Sequence, residues 1–513
     1  MAPSLLARLR RDTRANVSLM FGLAIVPLIL AAGAAIDYSN AVRGRQALQQ
    51  ASDAAALAAA RFDGTTAQRK AVAQKYFDSN LGPYATGYGA TMSFTDTDKT
   101  VGITASLTVP TYFMQIAGYK STTASITSEV TKEANGLEVV LVFDNTGSMT
   151  TNSRLTTLVA ASKTFTDILF GARTSANTLK IGLVPFSAAV NVGPANSNKF
   201  WLDKTGATSI SKLNFNTAGW NNWKAWQTIT NRSWNGCVEA RAGSLAFDDT
   251  PPSAGTPETL FAPYFAPDEP GSATTSSITL KNASNQNQTY YNSWRTDVPN
   301  TGTDMDSRQR TPGKYTNGTL SSSYAGPEFN CQIAPITPLT GDKATIVSGI
   351  NAMVANGATV IPEGLAWGLR VLSPEEPFTE GVAFSNNQNI KKALILLTDG
   401  ENDVGSGGSP LPNHNGVWYN TFGYLPQNRL GTTNFTTFHS TLDAKTQQVC
   451  NLIKSKGVVV YSFSYGVTNT NAKNLIKSCA TDAAKYFDPP SNAALAANFT
   501  QIANELRNLY LSK

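Results

Sequence analysis

The chain has 513 residues, enough for about three domains on a soft length prior. Its composition is that of a globular protein, and a net charge of +6 is too small for this length to indicate nucleic-acid binding. With only two histidines, and no cysteine pair at ligand spacing, a zinc site is excluded as the organising chemistry.

The chain opens with a basic segment, residues 1–16, carrying Arg8, Arg10, Arg11 and Arg14. An apolar run follows from Val17 to Ile36, broken only by small residues and one proline. Twenty residues of helix span about 30 Å, the thickness of a bilayer core. A cleaved signal peptide is the rival reading, with an Ala-x-Ala-like site between Ala31 and Ala35. The helix-forming sequence continues through Asp37 to Arg61, which favours a retained transmembrane helix at 17–36. The arginines then predict a cytoplasmic N-terminus, with everything beyond residue 37 outside. Residues 37–133 read as a helix followed by a small β region, in which Thr and Val alternate at period two between about 62 and 132. A long helix followed by a small sheet is a pilin-like layout.

From Leu137 the pattern becomes strand and helix in alternation. Leu137–Phe143, Lys180–Phe186, Ala393–Leu397 and Val458–Phe463 are continuous apolar strands, and Tyr486-Phe487 is a short last one. Between them run helical stripes: Leu155, Leu158, Val159, Ser162, Phe165 and Leu169; Ile346, Ile350 and Met353; Leu365, Leu369 and Leu372; and finally Leu495, Phe499, Ile502, Leu506 and Leu509. This rhythm predicts a parallel α/β sheet covered on both faces. Two segments fall outside it. Residues 191–330 are rich in Ser, Thr, Asn, Gly and Pro, and hold five tryptophans between Trp201 and Trp234. Residues 402–440 are a second excursion of similar composition. The tryptophans read either as the core of an irregular insert or as a stacking surface for glycan or cell-wall rings.

In an open parallel sheet, ligands bind beyond the carboxyl ends of the strands. The first strand ends in Asp144-Asn145-Thr146-Gly147-Ser148, and ALILL is followed by Thr398-Asp399-Gly400. Thr359 precedes the Leu365 helix. Two carboxylates and three hydroxyls on loops at one edge suit a hard divalent cation: magnesium first, with manganese or calcium as alternatives. Taken singly, these residues are also ordinary helix caps and turns.

Asp144-x-Thr146-x-Ser148, with Thr359 and Asp399 following in order, resembles the metal-ion-dependent adhesion site of von Willebrand factor A domains. Thr146 replaces the usual serine and keeps the hydroxyl. The segments DNTGSM, GATVIPEGLAWGLRVLSP and LLTDGEN resemble the A domain of TadG-like Flp pilus assembly proteins, and RANVSLMFGLAIVPLILAAGAAIDYSNAV resembles the TadE/TadG-like anchor. The resemblance implies an A domain, Rossmann-like with a mostly parallel sheet, at residues 135–190 and 331–513, with 191–330 and 402–440 as large inserts. It implies an extracytoplasmic binding protein on the bacterial inner membrane. The metal there, held by Asp144, Thr146, Ser148, Thr359 and Asp399, takes an acidic residue of a protein partner. A structural pilin-like subunit with an inert A domain is the alternative. Aspartyl-phosphate phosphotransfer is a distant third, since Asn145 stands where such enzymes have lysine. No catalytic residue set is legible.

Four cysteines lie beyond the apolar run, an even count consistent with two disulfides in an oxidising compartment. Cys237, in the insert, is expected to pair with Cys331, where the chain returns to the sheet. Cys450 and Cys479, on helices flanking one strand, form the other expected pair, unless those helices fall on opposite faces.

Overall fold

The computed structural model describes residues 15–511 except 63–64, 98–99, 132–135, 271–277, 282–284, 286, 296–303, 321–324, 387–389 and 406–412. The arginines at positions 8, 10, 11 and 14 lie outside the described residues. The chain divides into two compact units, Met1–Ala134 and Asn135–Lys513.

The first unit is built on one helix of 47 residues, α1 (Ala15–Arg61). Its N-terminal half is apolar and bare: Met20, Leu23 and Leu28 are 69%, 70% and 62% exposed. Among the described residues it is the one helix long and apolar enough to cross a membrane. In its C-terminal half, Leu48, Ala51, Ala55 and Ala59 recur at helical spacing and are fully buried. They pack with Ala73, Phe77 and Leu81 of α2 (Thr66–Leu81) and with one face of an antiparallel sheet. Its strands are β1 (Thr91–Asp96), β2 (Thr100–Pro110) and β3 (Ser121–Thr131), in that order. Val101, Ile103, Ala105, Leu107 and Val109 alternate inward along β2, as the period-two pattern requires. The second helix corrects the sequence reading, which has strands alone between 62 and 132. A local signal for it exists: the Thr65 hydroxyl accepts from the Gln68 N–H, and the Gln68 side chain accepts from the Thr65 N–H, a capping box.

The second unit is a mixed sheet between two helical layers. Its central strands are β4 (Gly136–Asp144), β5 (Leu179–Phe186), β9 (Ile390–Thr398), β10 (Val459–Ser464) and β11 (Tyr486–Phe487). All are parallel to their neighbours in the order β11-β10-β9-β4-β5. Beyond β5 the sheet turns antiparallel through β6 (Val190–Asn191) and β7 (Cys237–Val238), while β8 (Thr337–Thr340) also pairs antiparallel with β5. Both faces of β4 are buried, with Val139, Leu141 and Phe143 toward one layer and Val140 and Val142 toward the other. The first layer is α3 (Arg154–Phe170), α4 (Lys343–Asn351) and α8 (Asn492–Leu511). The second is α5 (Ile361–Leu372), α6 (Phe435–Ser455) and α7 (Thr470–Cys479).

Both expected disulfides are formed, Cys237–Cys331 with Cα atoms 6.3 Å apart and Cys450–Cys479 at 5.0 Å. Since α6 and α7 lie in the same layer, the arrangement that would have separated the second pair does not occur.

The described parts of the inserts are held by side chains rather than by long elements. Trp201, Trp226 and Trp234 are buried in the same core as α5, and Trp220 and Trp223 are half-buried against it. Trp201, Trp226 and Trp234 are therefore core residues, the first of the two readings, and Trp220 and Trp223 lie at the margin of that core. Asparagines satisfy buried carbonyls where no ladder does: Asn222 Nδ2 donates to Pro263 O (2.9 Å), Asn191 Nδ2 to Ile333 O (3.0 Å) and Asn330 Nδ2 to Tyr419 O (3.1 Å). The two inserts also interlock. Tyr419 of the second donates its hydroxyl to Glu239 of the first at 2.5 Å, and Arg429 pairs with the same carboxylate at 2.6 Å. The second insert ends earlier than the expected residue 440, because α6 begins at Phe435, capped by Asn434 accepting from the Thr437 N–H.

Candidate functional site

Strand order reverses between β4 and β9, and a crevice at the carboxyl ends of such a pair is where open sheets place ligands. The register puts Leu397 beside Phe143, so Thr398 falls beside Asp144 and Asp399 one residue beyond. That placement follows from the parallel ladder alone.

Asp144 is the innermost residue of the set, fully buried. Its Oδ1 accepts the Thr146 N–H at 2.8 Å, closing a tight turn, and its Oδ2 accepts the Thr398 hydroxyl at 2.7 Å. The turn brings the Thr146 and Ser148 hydroxyls to 2.9 Å of each other. Ser148 donates to Asp399 Oδ1 at 2.6 Å, across 251 residues of sequence. Ser148 is exposed while Thr146 and Asp399 are buried, so solvent reaches the set at its serine.

Thr359 arrives on a third loop. Gly147 N–H donates to Gly357 O at 3.0 Å, and Asn356 N–H to Asn145 O at 2.7 Å. Asn145 reaches back, its Nδ2 donating to Val354 O at 3.0 Å. Thr359 itself exchanges two backbone bonds with Asp403, at 2.7 and 2.9 Å, which ties the loop to the chain leaving Asp399. Among the described residues no hydrogen bond joins its hydroxyl to either carboxylate. Gly357 has φ +85°, and a Cβ there would lie 2.5 Å from Asn330 O, so only glycine fits.

The structure therefore brings Asp144, Thr146, Ser148 and Asp399 into one hydrogen-bonded chain and sets Thr359 on the adjoining loop. It adds residues that the motif does not contain. Thr398 was legible in principle, from the parallel register. Arg154, the first residue of α3, was not. Its Nη1 donates to Asp399 Oδ2 at 2.7 Å, and its Nη2 to Gly466 O at 3.3 Å. Left-handed Asn152 and Ser153 (φ 53° and 57°) aim it there, and Gly466 leaves the room, since a Cβ would meet the guanidinium at 2.3 Å.

Electrostatically the two aspartates differ. Asp399 has Arg154. Asp144 has no cationic partner among the described residues, and burial, then the charge of Asp399, pushes its carboxyl up to about 7. No three His, Cys, Asp or Glu side chains cluster among the described residues, so two carboxylates carry the negative charge here. The donors are all hard oxygens, and a buried carboxylate without a counter-charge is what a small divalent cation would satisfy, so the residues fit such an ion.

Residues 15–61 match the Tad family model, described as Flp pilus-assembly TadE/G-like. Among curated proteins none matches the chain. The chain is similar to the vWF domain of the type V pili tip protein Mfa5 from Porphyromonas gingivalis, at 12% identity, over 72% of this chain and 95% of that one, with a TM-score of 0.33. It is similar to the adhesive tip pilin GBS104 from Group B Streptococcus agalactiae, at 11% identity, over 72% and 100% of the two chains, with a TM-score of 0.34. It is also similar to the pilus adhesin RrgA from Streptococcus pneumoniae, at 10% identity and a TM-score of 0.35, where it covers 81% of its own length and 49% of that chain. The helix that opens the first unit is thus a TadE/G-like segment of the Flp pilus-assembly type.

Proposed function

We infer that this is a membrane-anchored binding protein whose second unit is a von Willebrand factor A-type domain with a metal-ion-dependent adhesion site, acting in Flp pilus assembly or anchoring at the cell envelope. The anchor is α1, with the N-terminus cytoplasmic and both units on the outer side of the bacterial inner membrane. The observation that carries the reading is the Asp144–Thr146–Ser148–Asp399 chain at the reversal of strand order. Counted in sequence, the strands from β8 through β5, β4, β9 and β10 to β11 run 3-2-1-4-5-6, which supports a Rossmann-like arrangement.

Asp144, Thr146, Ser148, Thr359 and Asp399 would hold the ion, directly or through water. A bound magnesium would supply an electrophilic position for an acidic group of a protein partner. The chain's own part is to keep those oxygens in place. Thr146 N–H and Thr398 orient Asp144, Ser148 and Arg154 orient Asp399, and Asn145 fixes the loop. Both inserts border this edge. Ser187 donates its hydroxyl to Asn330 O at 3.0 Å where the first insert leaves and returns, and Asp403 of the second pairs with Thr359. They make the rim against which a partner is read. Asn145, whose amide is spent on Val354 O, offers no cation for phosphoryl transfer to Asp144.

The test is a calorimetric titration of the full chain with MgCl2 and MnCl2, followed by partner capture from envelope fractions in Mn2+ and in EDTA. Asp144→Ala should abolish cation binding and the Mn2+-dependent capture. Equal cation affinity in the variant would sink the metal reading. Capture indifferent to EDTA would favour a structural subunit with an inert domain.

A further inference from the structure

We propose that the loop joining β2 to β3, Thr111–Lys120, is a second membrane contact: an aromatic foot seated in the headgroup layer beside the exit of α1. The proposal rests on reading α1 as a span.

The apolar run of α1 ends at Ile36, and Asp37 follows. The loop folds back onto the helix at that point. Asp37 Oδ1 accepts the Tyr112 N–H at 2.9 Å, and Oδ2 accepts those of Phe113 and Met114 at 2.8 and 2.7 Å. Three donors on one buried carboxylate fix the loop's height on the helix. Phe113 then packs one turn deeper, against Gly33. A Cβ at position 33 would lie 2.3 Å from the Phe113 ring, so the glycine allows the approach. Gly33 is four residues before Asp37, about 6 Å along the axis, and lies inside the apolar run. Phe113 therefore sits at the depth of the run's last turn, and the loop tip sits at its edge.

The tip points away from the unit's own core. Tyr112, Ile116 and Tyr119 are 61%, 74% and 64% exposed, and Tyr38, just past the end of the run, is 71% exposed. The outward face of the neighbouring strands is different: Thr104, Thr123, Ser125, Thr127 and Glu129 are among the exposed residues there. Tyrosine is the side chain that suits a bilayer edge, with an apolar ring and a polar tip, and Lys120 beside it can bury its stem and reach phosphate. Seating Ile116 at the bilayer edge removes this exposed apolar surface from water. With the foot in place, the first unit meets the membrane at two points, α1 and the loop, which restricts how far it can tilt about the helix exit.

The experiment uses the full chain in phosphatidylcholine vesicles. Its four native cysteines are in disulfides, so a single introduced cysteine can be labelled with a fluorophore. Three sites are compared: Val26→Cys in the run, Ile116→Cys in the foot and Thr104→Cys on the sheet. Nitroxide-bearing lipids should quench labels 26 and 116, the latter best with the nitroxide near the headgroup, and spare label 104. Aqueous iodide should quench 104 alone. Lipid quenching at 26 but iodide quenching at 116 overturns the foot and leaves the anchor standing. Label 116 shielded from both quenchers means a protein covers it, and also overturns the proposal. No lipid quenching at 26 removes the anchor and the foot together.

Discussion

Replacing Asp144 by Asn tests the electrostatics of the crevice directly. The amide is the same shape. Its oxygen can keep the Thr146 N–H, and its NH2 can donate to Thr398, whose hydroxyl is free to turn toward Gly400 O, 3.3 Å away. What changes is the charge. In the folded chain the Asp144 carboxyl is raised from 3.8 to about 7, by burial first and by Asp399 second. A folded-state value above the unfolded one means that the folded chain binds the proton more tightly. The stability this contributes is complete below pH 4 and is lost as pH rises through 7. About three units at 1.36 kcal/mol each make a loss of the order of 4 kcal/mol. In EDTA at pH 8 the Asn variant should therefore be more stable than the wild type by about 2–4 kcal/mol, after about 1 kcal/mol for the altered hydrogen bonds. Near pH 4 the two should converge. Saturating magnesium should reverse the order, adding about 2.7 kcal/mol to the wild type at a hundred times Kd and nothing to the variant. The assay is urea unfolding followed by tryptophan fluorescence. All eight tryptophans lie beyond residue 200, so the signal reports the second unit alone. A variant less stable than wild type in EDTA at pH 8, or one that gains as much from magnesium, would refute the reasoning.

Gly357→Ala should destabilise the second unit by at least about 1–2 kcal/mol, from the left-handed backbone and the clash with Asn330 O. It should also weaken cation binding without touching a ligand, and an unchanged unfolding midpoint would contradict it. Arg429→Met should leave Glu239, whose carboxyl burial already pushes up, without its cation. A loss of about 3–5 kcal/mol and new proteolytic cleavage within 191–330 are expected, and a protease-resistant variant would be the adverse result. Reduction of Cys237–Cys331, which closes a separation of 94 residues, should remove up to about 4–5 kcal/mol. Peptide mapping of the unreduced chain should recover both pairs, and free thiols there would overturn the assignment.

What the sequence revealed, and what it did not, follows from the range of the interactions. The strands around Val140 and Ile395 were legible because both faces are buried, which leaves a continuous apolar run. Asp144, Thr146 and Ser148 were legible because a turn of five residues holds them. The helix α2 leaves a weak periodic signal, because its face toward α1 is marked by only a few apolar side chains amid lysines, glutamines and asparagine, and the Thr65–Gln68 capping box is its clearest local mark. Arg154 had no local signature: its role depends on Gly466, 312 residues away, leaving a gap for it. The tryptophans were ambiguous because an aromatic in an irregular segment gives no period, and only packing against Phe261, Phe265 and α5 decides between core and surface.

The position of β9 has a consequence for how the chain is made. β9 lies between β4 and β10, yet it follows β4 by some 250 residues. During synthesis at about 5–20 residues per second, β4 waits roughly 12–50 seconds for that neighbour. Until then one of its edges pairs with β5 and the other is an open strand edge, apolar except for Glu138 and the terminal Asp144, the kind that recruits strands from other chains. The crevice cannot exist in that interval, because Ser148 has no Asp399 to bind and Asp144 no Thr398. Closure of the β4 edge and completion of the site are therefore the same late event, and a ribosome stalled within the first insert leaves a chain with neither.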